Sequence, residues 1–151
     1  MSEQLDFSAD SIVIDREGVD NCFGCGPHNT HGLKLKFRHL PSGAVEVRTT
    51  LAAHFCGFDN VVHGGVQATI LDEVMGVAAQ LALPQDAGKA ACATAEMSLR
   101  YLRPVPLDRE IIARATVVHV RDRDFYVHGD IVSEIGETLT SARSRWRQAR
   151  S

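Results

Sequence analysis

The sequence predicts an α+β domain in which an antiparallel sheet of about six strands wraps one long central helix. Three observations carry this reading. Period-two alternation appears in two runs before residue 50 and returns after residue 92. Between them, Val66 to Leu83 is rich in apolar residues and shows no such alternation. The order is therefore β-β, one helix, then β-β-β-β, and so apolar a helix must be buried nearly all round by the sheet.

Each element follows from its pattern. The first twenty residues are polar and poorly patterned, and 1–21 reads as an arm preceding a single domain over 22–151. A Gly- and Cys-rich stretch runs from Cys22 to Gly32. Leu33, Leu35 and Phe37 then alternate with Lys34, Lys36 and Arg38, and Val45, Val47 and Thr49 alternate with Glu46, Arg48 and Thr50. Pro41-Ser42-Gly43 between the runs is a turn, so the two form a hairpin. The helix is expected to start near Gly64 and Gly65 and to end before Pro84. After the loop Gln85–Lys89, Ala93, Ala95, Met97, Leu99 and Tyr101 alternate with Thr94, Glu96, Ser98 and Arg100. Pro104 and Pro106 break that strand. Ile111–Val120, Phe125–Val132 and Thr138–Arg147 follow as three more.

Composition narrows the class. With 151 residues, 44% hydrophobic and 23% charged, the chain has the makings of one globular domain. A formal net charge of −3 offers no broad attraction for nucleic acid or an acidic membrane. Asp72 and Glu73 would sit near mid-bilayer if the helix spanned a membrane, which speaks against that role. Met1 to Asp10 carries Glu3, Asp6 and Asp10 and has no apolar core, so it does not read as a signal peptide. The four cysteines then read as thiols in a reducing compartment, and the expected location is cytoplasmic.

The chemistry concentrates on the helix. Asp72 and Glu73 are its only ionisable residues, and a carboxylate midway along a buried helix costs several kcal/mol unless it is partnered or put to work. Neighbouring positions point about 100° apart, so the two acids cannot share one task. Asp72 shares a stripe with Gly65, Ala68, Gly76 and Ala79, small residues that leave room for a ligand. Glu73 shares one with Thr69, Gly76 and Gln80. Both could instead be structural acids held by partners. Before the helix stands Asn60-Val61-Val62-His63-Gly64-Gly65. Glycines at a helix start expose N–H groups, and the helix dipole adds partial positive charge there, which suits an oxyanion.

His63-Gly64-Gly65 followed by Ala68 to Glu73, with Asp72 nine residues after the histidine, resembles the PaaI-type branch of the hot-dog acyl-CoA thioesterases. That branch belongs to the 4-hydroxybenzoyl-CoA thioesterase superfamily. Cys22-Phe-Gly-Cys-Gly-Pro-His-Asn29 with Gly32-Leu33, and Thr94 through Pro106, extend the likeness from about residue 22 to 148. The resemblance implies a hot-dog fold and hydrolysis of an acyl-CoA to free acid and CoA. Asp72 would act as general base or nucleophile, and the Gly64 N–H would bind the thioester oxygen. His63 would orient the loop, Thr94 would place a hydroxyl near the attacking water, and Glu73 is the reserve acid. Gly65 and Asn60 would line the substrate site, and Arg103, Arg121 and Arg123 would meet the CoA phosphates. The family assembles as a homodimer or a dimer of dimers, with each site shared between subunits. No metal and no cofactor beyond the CoA of the substrate is expected. Two positions depart from the pattern: Gly57 stands where several relatives have Asn or Gln, and Gly76 where some have a hydroxyl.

Three weaker readings remain. Cys22, Cys25, His28 and His31 have zinc-ligand chemistry but lack the long spacer usual between ligand pairs, so a loop packed on the barrel mouth is favoured. His54-Phe55 would suit a hot-dog dehydratase or hydratase, yet it lies 19 residues from Glu73. A non-catalytic acyl-CoA binder would have no evident use for Asp72.

Overall fold

A computed structural model describes residues 12–14, 18–84 and 91–150. The acidic segment Met1–Asp10 and the loop Gln85–Lys89 lie outside the described residues. Seven strands form one antiparallel sheet: β1 (Ile12–Ile14), β2 (Phe37–His39), β3 (Val45–Thr50), β4 (Cys92–Tyr101), β5 (Glu110–Arg121), β6 (Asp124–Ser133) and β7 (Thr138–Gln148). Their spatial order is β1-β2-β3-β5-β6-β7-β4. One long helix, α1 (Gly64–Leu81), connects β3 to β4 and so crosses from one side of the sheet to its far edge. The seventh strand, β1, comes from the segment read as an arm and pairs with β2.

Alternation does its expected work at the hairpins. Leu33, Leu35 and Phe37 are buried while Lys34 and Lys36 are exposed. Only Phe37–His39 pairs as strand. Two residues of the preceding run bond instead to the Cys22–Gly32 stretch, Leu33 N–H to the Phe23 carbonyl at 2.8 Å and Leu35 N–H to that of Gly24 at 2.9 Å. Glu46 departs from the outward-facing role that alternation suggested, being fully buried. Arg114 of β5 reaches it from the opposing register position at 2.6 Å, and Arg48 lies 3.4 Å away, so the guanidinium groups cover the carboxylate.

Helix α1 packs its apolar side onto the sheet. Ile70, Leu71, Val74, Met75 and Ala79 are fully buried, each large side chain contributing about 1.5–3 kcal/mol. The stripe Thr69, Asp72, Glu73, Gly76 and Gln80 is only half-buried and faces the β4 edge, where Asp72 and Gln80 bond to Thr94 and Cys92. The indole of Trp146 in β7 lies against Gly76. A Cβ there would come within 2.8 Å of the indole ring, so the position takes no side chain without displacing Trp146.

Strand β4 is the far edge of the sheet, paired with β7 alone among the described strands. A β-bulge between Thr94 and Glu96 shifts its register. Thr94 therefore stands opposite Trp146 on the helix-facing side, together with Met97 opposite Ser144, while Glu96 stands opposite Arg145 outside. Uninterrupted alternation would have put Thr94 outside with Glu96.

Candidate active site

Two groups of functional residues sit on α1, one at its N-terminus and one at its middle. At its N-terminus, His63 is the N-cap, and its Nδ1 accepts the Gly65 N–H at 2.9 Å. That bond uses the Gly65 donor. Gly64, at the first helical position, has no preceding turn to bond its N–H, so this donor points outward. Tyr101 at the end of β4 donates its hydroxyl to the Gly64 carbonyl at 2.9 Å. Both bonds hold the Gly64–Gly65 peptide, the unit next to the one that carries the Gly64 N–H, at the end of the helix where the dipole is positive.

A cleft of about 510 Å³ opens beside this donor, lined by Gly57, Phe58, Val61, His63, Gly64, Gln67, Tyr101 and Arg103 among others. Phe58 is 84% exposed at its rim. Gln67 is buried, donating to the Val62 carbonyl at 3.0 Å and accepting from Thr140 at 2.6 Å, and so braces the loop behind Gly64. Neither Tyr101 nor Gln67 stood out in the sequence. Their signal was a polar atom on a core-facing position, Tyr101 by strand alternation and Gln67 on the apolar side of the helix.

Two turns further along the helix, Asp72 Oδ1 accepts the Thr94 hydroxyl at 2.7 Å. The bulge in β4 creates this pair, because it turns Thr94 toward α1. Asp72 is half-buried and Thr94 exposed, so both remain reachable from solvent. Cys92, two residues before Thr94, is a poor nucleophile, since burial raises its thiol above the ordinary range.

The structure separates the remaining predicted residues. Glu73 faces away from Thr94, and its Oε1 accepts from the Cys22 thiol at 3.6 Å. Arg103 lines the Gly64 cleft and pairs with Glu137 at 3.0 Å. Arg121 and Arg123 belong to the β5–β6 hairpin at the Thr94 end, where the Arg123 carbonyl accepts the Gln148 N–H at 2.8 Å. Asn60 takes a left-handed conformation, φ 63°, and its carbonyl accepts the Leu107 N–H at 3.3 Å, which gives it a turn-forming role. Gly57 lies against the His63 backbone. His28 stays at the surface, 3.8 Å from Asp20.

With this geometry, the chain matches the family model described as the thioesterase superfamily over residues 59–140, which spans both halves of the site. The protein belongs to that superfamily, and its sheet around one long helix is the hot-dog fold. A crystal structure of a thioesterase superfamily protein is 31% identical, with a TM-score of 0.76 over 84% of this chain and 60% of the other. A Bacillus halodurans protein solved with CoA is 26% identical, with a TM-score of 0.71 over 82% of this chain and 80% of that one. Verlamelin biosynthesis protein B of Lecanicillium is 29% identical over 71% of this chain and 57% of its own length. The chain thus spans little more than half of that curated relative.

Proposed function

We propose that the protein is a PaaI-type acyl-CoA thioesterase that hydrolyses its substrate to free acid and CoA at sites shared between two copies of the chain. One observation carries the reading: the Asp72 carboxylate and the free Gly64 N–H lie eight residues apart on the same helix, about 12 Å along its axis. A carbonyl held at Gly64 is out of reach of Asp72 in its own chain. The two halves meet only if a second copy supplies one of them. Strand β4 offers the means, since it is ten residues long and has an open edge among the described strands. Pairing two such edges in antiparallel fashion would set each Asp72 against the partner's glycine loop.

In this arrangement the thioester oxygen takes the Gly64 N–H. Asp72, oriented by Thr94, removes a proton from water as it attacks the carbonyl carbon, or attacks directly to form an anhydride that water then opens. The tetrahedral intermediate places its negative charge at the helix N-terminus, and its collapse expels CoA as thiolate; the thiolate takes its proton from Asp72 when Asp72 acts as base, or from the water that opens the anhydride when Asp72 attacks directly. The acyl chain would occupy the cleft beside Phe58 and Val61. The CoA bound in the Bacillus halodurans relative supports CoA as the carrier, and Arg103, Arg121 and Arg123 are the cations we assign to its phosphates. The reaction needs water and no cofactor outside the substrate. The four cysteines form no disulfide, which suits the cytoplasm.

Thiol release from a panel of short, long, branched and aromatic acyl-CoAs tests the reading. Wild type, Asp72→Asn and Glu73→Gln are compared. Hydrolysis by wild type and Glu73→Gln that collapses in Asp72→Asn is expected. Loss in Glu73→Gln alone would move the chemistry to that acid. Enoyl-CoA as product would indicate a dehydratase, and binding without turnover an acyl-CoA binding protein.

A further inference from the structure

The Cys22–Gly32 stretch does more than pack against the helix. Its backbone forms a tight loop, with the Gly26 N–H on the Cys22 carbonyl at 2.8 Å and the Cys22 N–H on that of Val19 at 2.9 Å. Bonds from Leu33 and Leu35 fasten the same loop to the chain entering β2. The thiols of Cys22 and Cys25 thus face one point on α1, and Glu73 occupies it. The Sγ atoms of Cys22 and Cys25 and a Glu73 carboxylate oxygen all lie within 4.8 Å of one another. A Cβ at Gly24 would overlap the Glu73 side chain, so the glycine is what lets the carboxylate come this close. Cys25 is buried, Cys22 half-buried, and Glu73 Oε2 is shielded from solvent.

We propose that Cys22, Cys25 and Glu73 bind a zinc-class divalent cation that clamps this loop onto the central helix. The geometry fits. With Zn–S of about 2.3 Å and Zn–O of about 2.0 Å, a tetrahedral centre separates sulfur from oxygen by about 3.5 Å. The Cys22 Sγ to Glu73 Oε1 distance is 3.6 Å. The donor chemistry selects the class of metal, because thiolates favour zinc and its neighbours, whereas magnesium and calcium want oxygen ligands throughout. Three protein ligands leave the fourth position to water or a small anion. Neither His28 nor His31 enters the cluster, so the ligand set differs from a Cys2His2 arrangement.

Two thiols and a carboxylate within 4.8 Å of one another make a donor set that a divalent cation binds strongly. Binding converts both thiols to thiolates and releases their two protons to solvent, with no change of oxidation state, so affinity rises with pH. The site is separate from Asp72 and Thr94, and its existence does not depend on the proposed hydrolysis.

The test is a cobalt(II) titration of the full-length protein, reduced and stripped with chelator beforehand. One equivalent should give thiolate-to-cobalt charge-transfer absorption with the d–d bands of a tetrahedral centre. Zinc should displace it and raise the melting temperature. Cys22→Ser, Cys25→Ser and Glu73→Gln should each weaken binding by tenfold or more, on the order of what metal sites lose even on mutation of outer-sphere partners. Cys92→Ser should leave it unchanged. Absence of the charge-transfer band in wild type at saturating cobalt would overturn the proposal, whatever the variants do. A band that survives both Cys25→Ser and Glu73→Gln would overturn the ligand set.

Discussion

Thr94 shows how much can depend on one residue's direction. Its hydroxyl donates to Asp72 Oδ1 at 2.7 Å, so one lone pair of the carboxylate is committed and its plane is held. A hydrogen bond to a charged group contributes about 1.5–3 kcal/mol. If that interaction matters most in the transition state, Thr94→Val should lower kcat about tenfold to a hundredfold, with KM little changed and the melting temperature kept. A fall in KM instead would mean that Thr94 strains the bound substrate. At the start of the helix, Gly64→Pro is a useful probe. The first helical position tolerates proline, and His63, at φ −54° and ψ 134°, already has the extended conformation a residue before proline needs. The substitution removes the N–H, and its Cβ would meet the Tyr101 ring at 3.4 Å, an ordinary contact. Loss of an oxyanion donor costs about a hundredfold to a thousandfold in kcat. A Gly64→Pro enzyme with full activity would place the oxyanion elsewhere.

At the scale of elements, α1 has two tasks that compete. It must bury an apolar face, and it must carry Asp72 and Glu73 on the side the sheet leaves half-covered. Its start rests on an unusual cap, a histidine ring nitrogen in place of a hydroxyl or carboxylate. His63→Ala should therefore destabilise the protein by about 1 kcal/mol, read as a shift in denaturant midpoint with an unchanged slope. Because the Nδ1 bond also orients the Gly64 peptide, activity should fall further than the stability loss explains.

For the molecule as a whole, the separation of Asp72 from Gly64 makes a prediction that no single-chain enzyme would satisfy. Asp72→Asn and Gly64→Pro should each be nearly inactive alone. Mixed and allowed to exchange subunits, they should recover activity, since a heterodimer contains one site with both lesions and one with neither. Sedimentation should show a dimer or dimer of dimers in both. Failure to complement, with exchange verified by mass, would confine the chemistry to one chain.

Alternation and apolar density determined the architecture from the sequence by itself. The helix spans Gly64–Leu81 as the glycines and Pro84 required, and five of the six expected strands differ only at their ends. In the remaining one, Leu33 to Lys36 alternate in burial yet bond to the preceding loop. The unforeseen strand, Ile12–Ile14, is three residues long, too short for any periodic signal. That Gly64 and Gly65 open the helix was also legible, because helix starts obey local rules. Thr94 reached its place only through a β-bulge, since one extra residue reverses the facing of every position on one side of it. The buried Glu46, the bracing of Gly64 by Tyr101, and the meeting of Cys22 and Cys25 with Glu73 likewise waited on the fold. Each joins residues dozens of positions apart, and local periodicity records which face a residue takes but never what stands opposite.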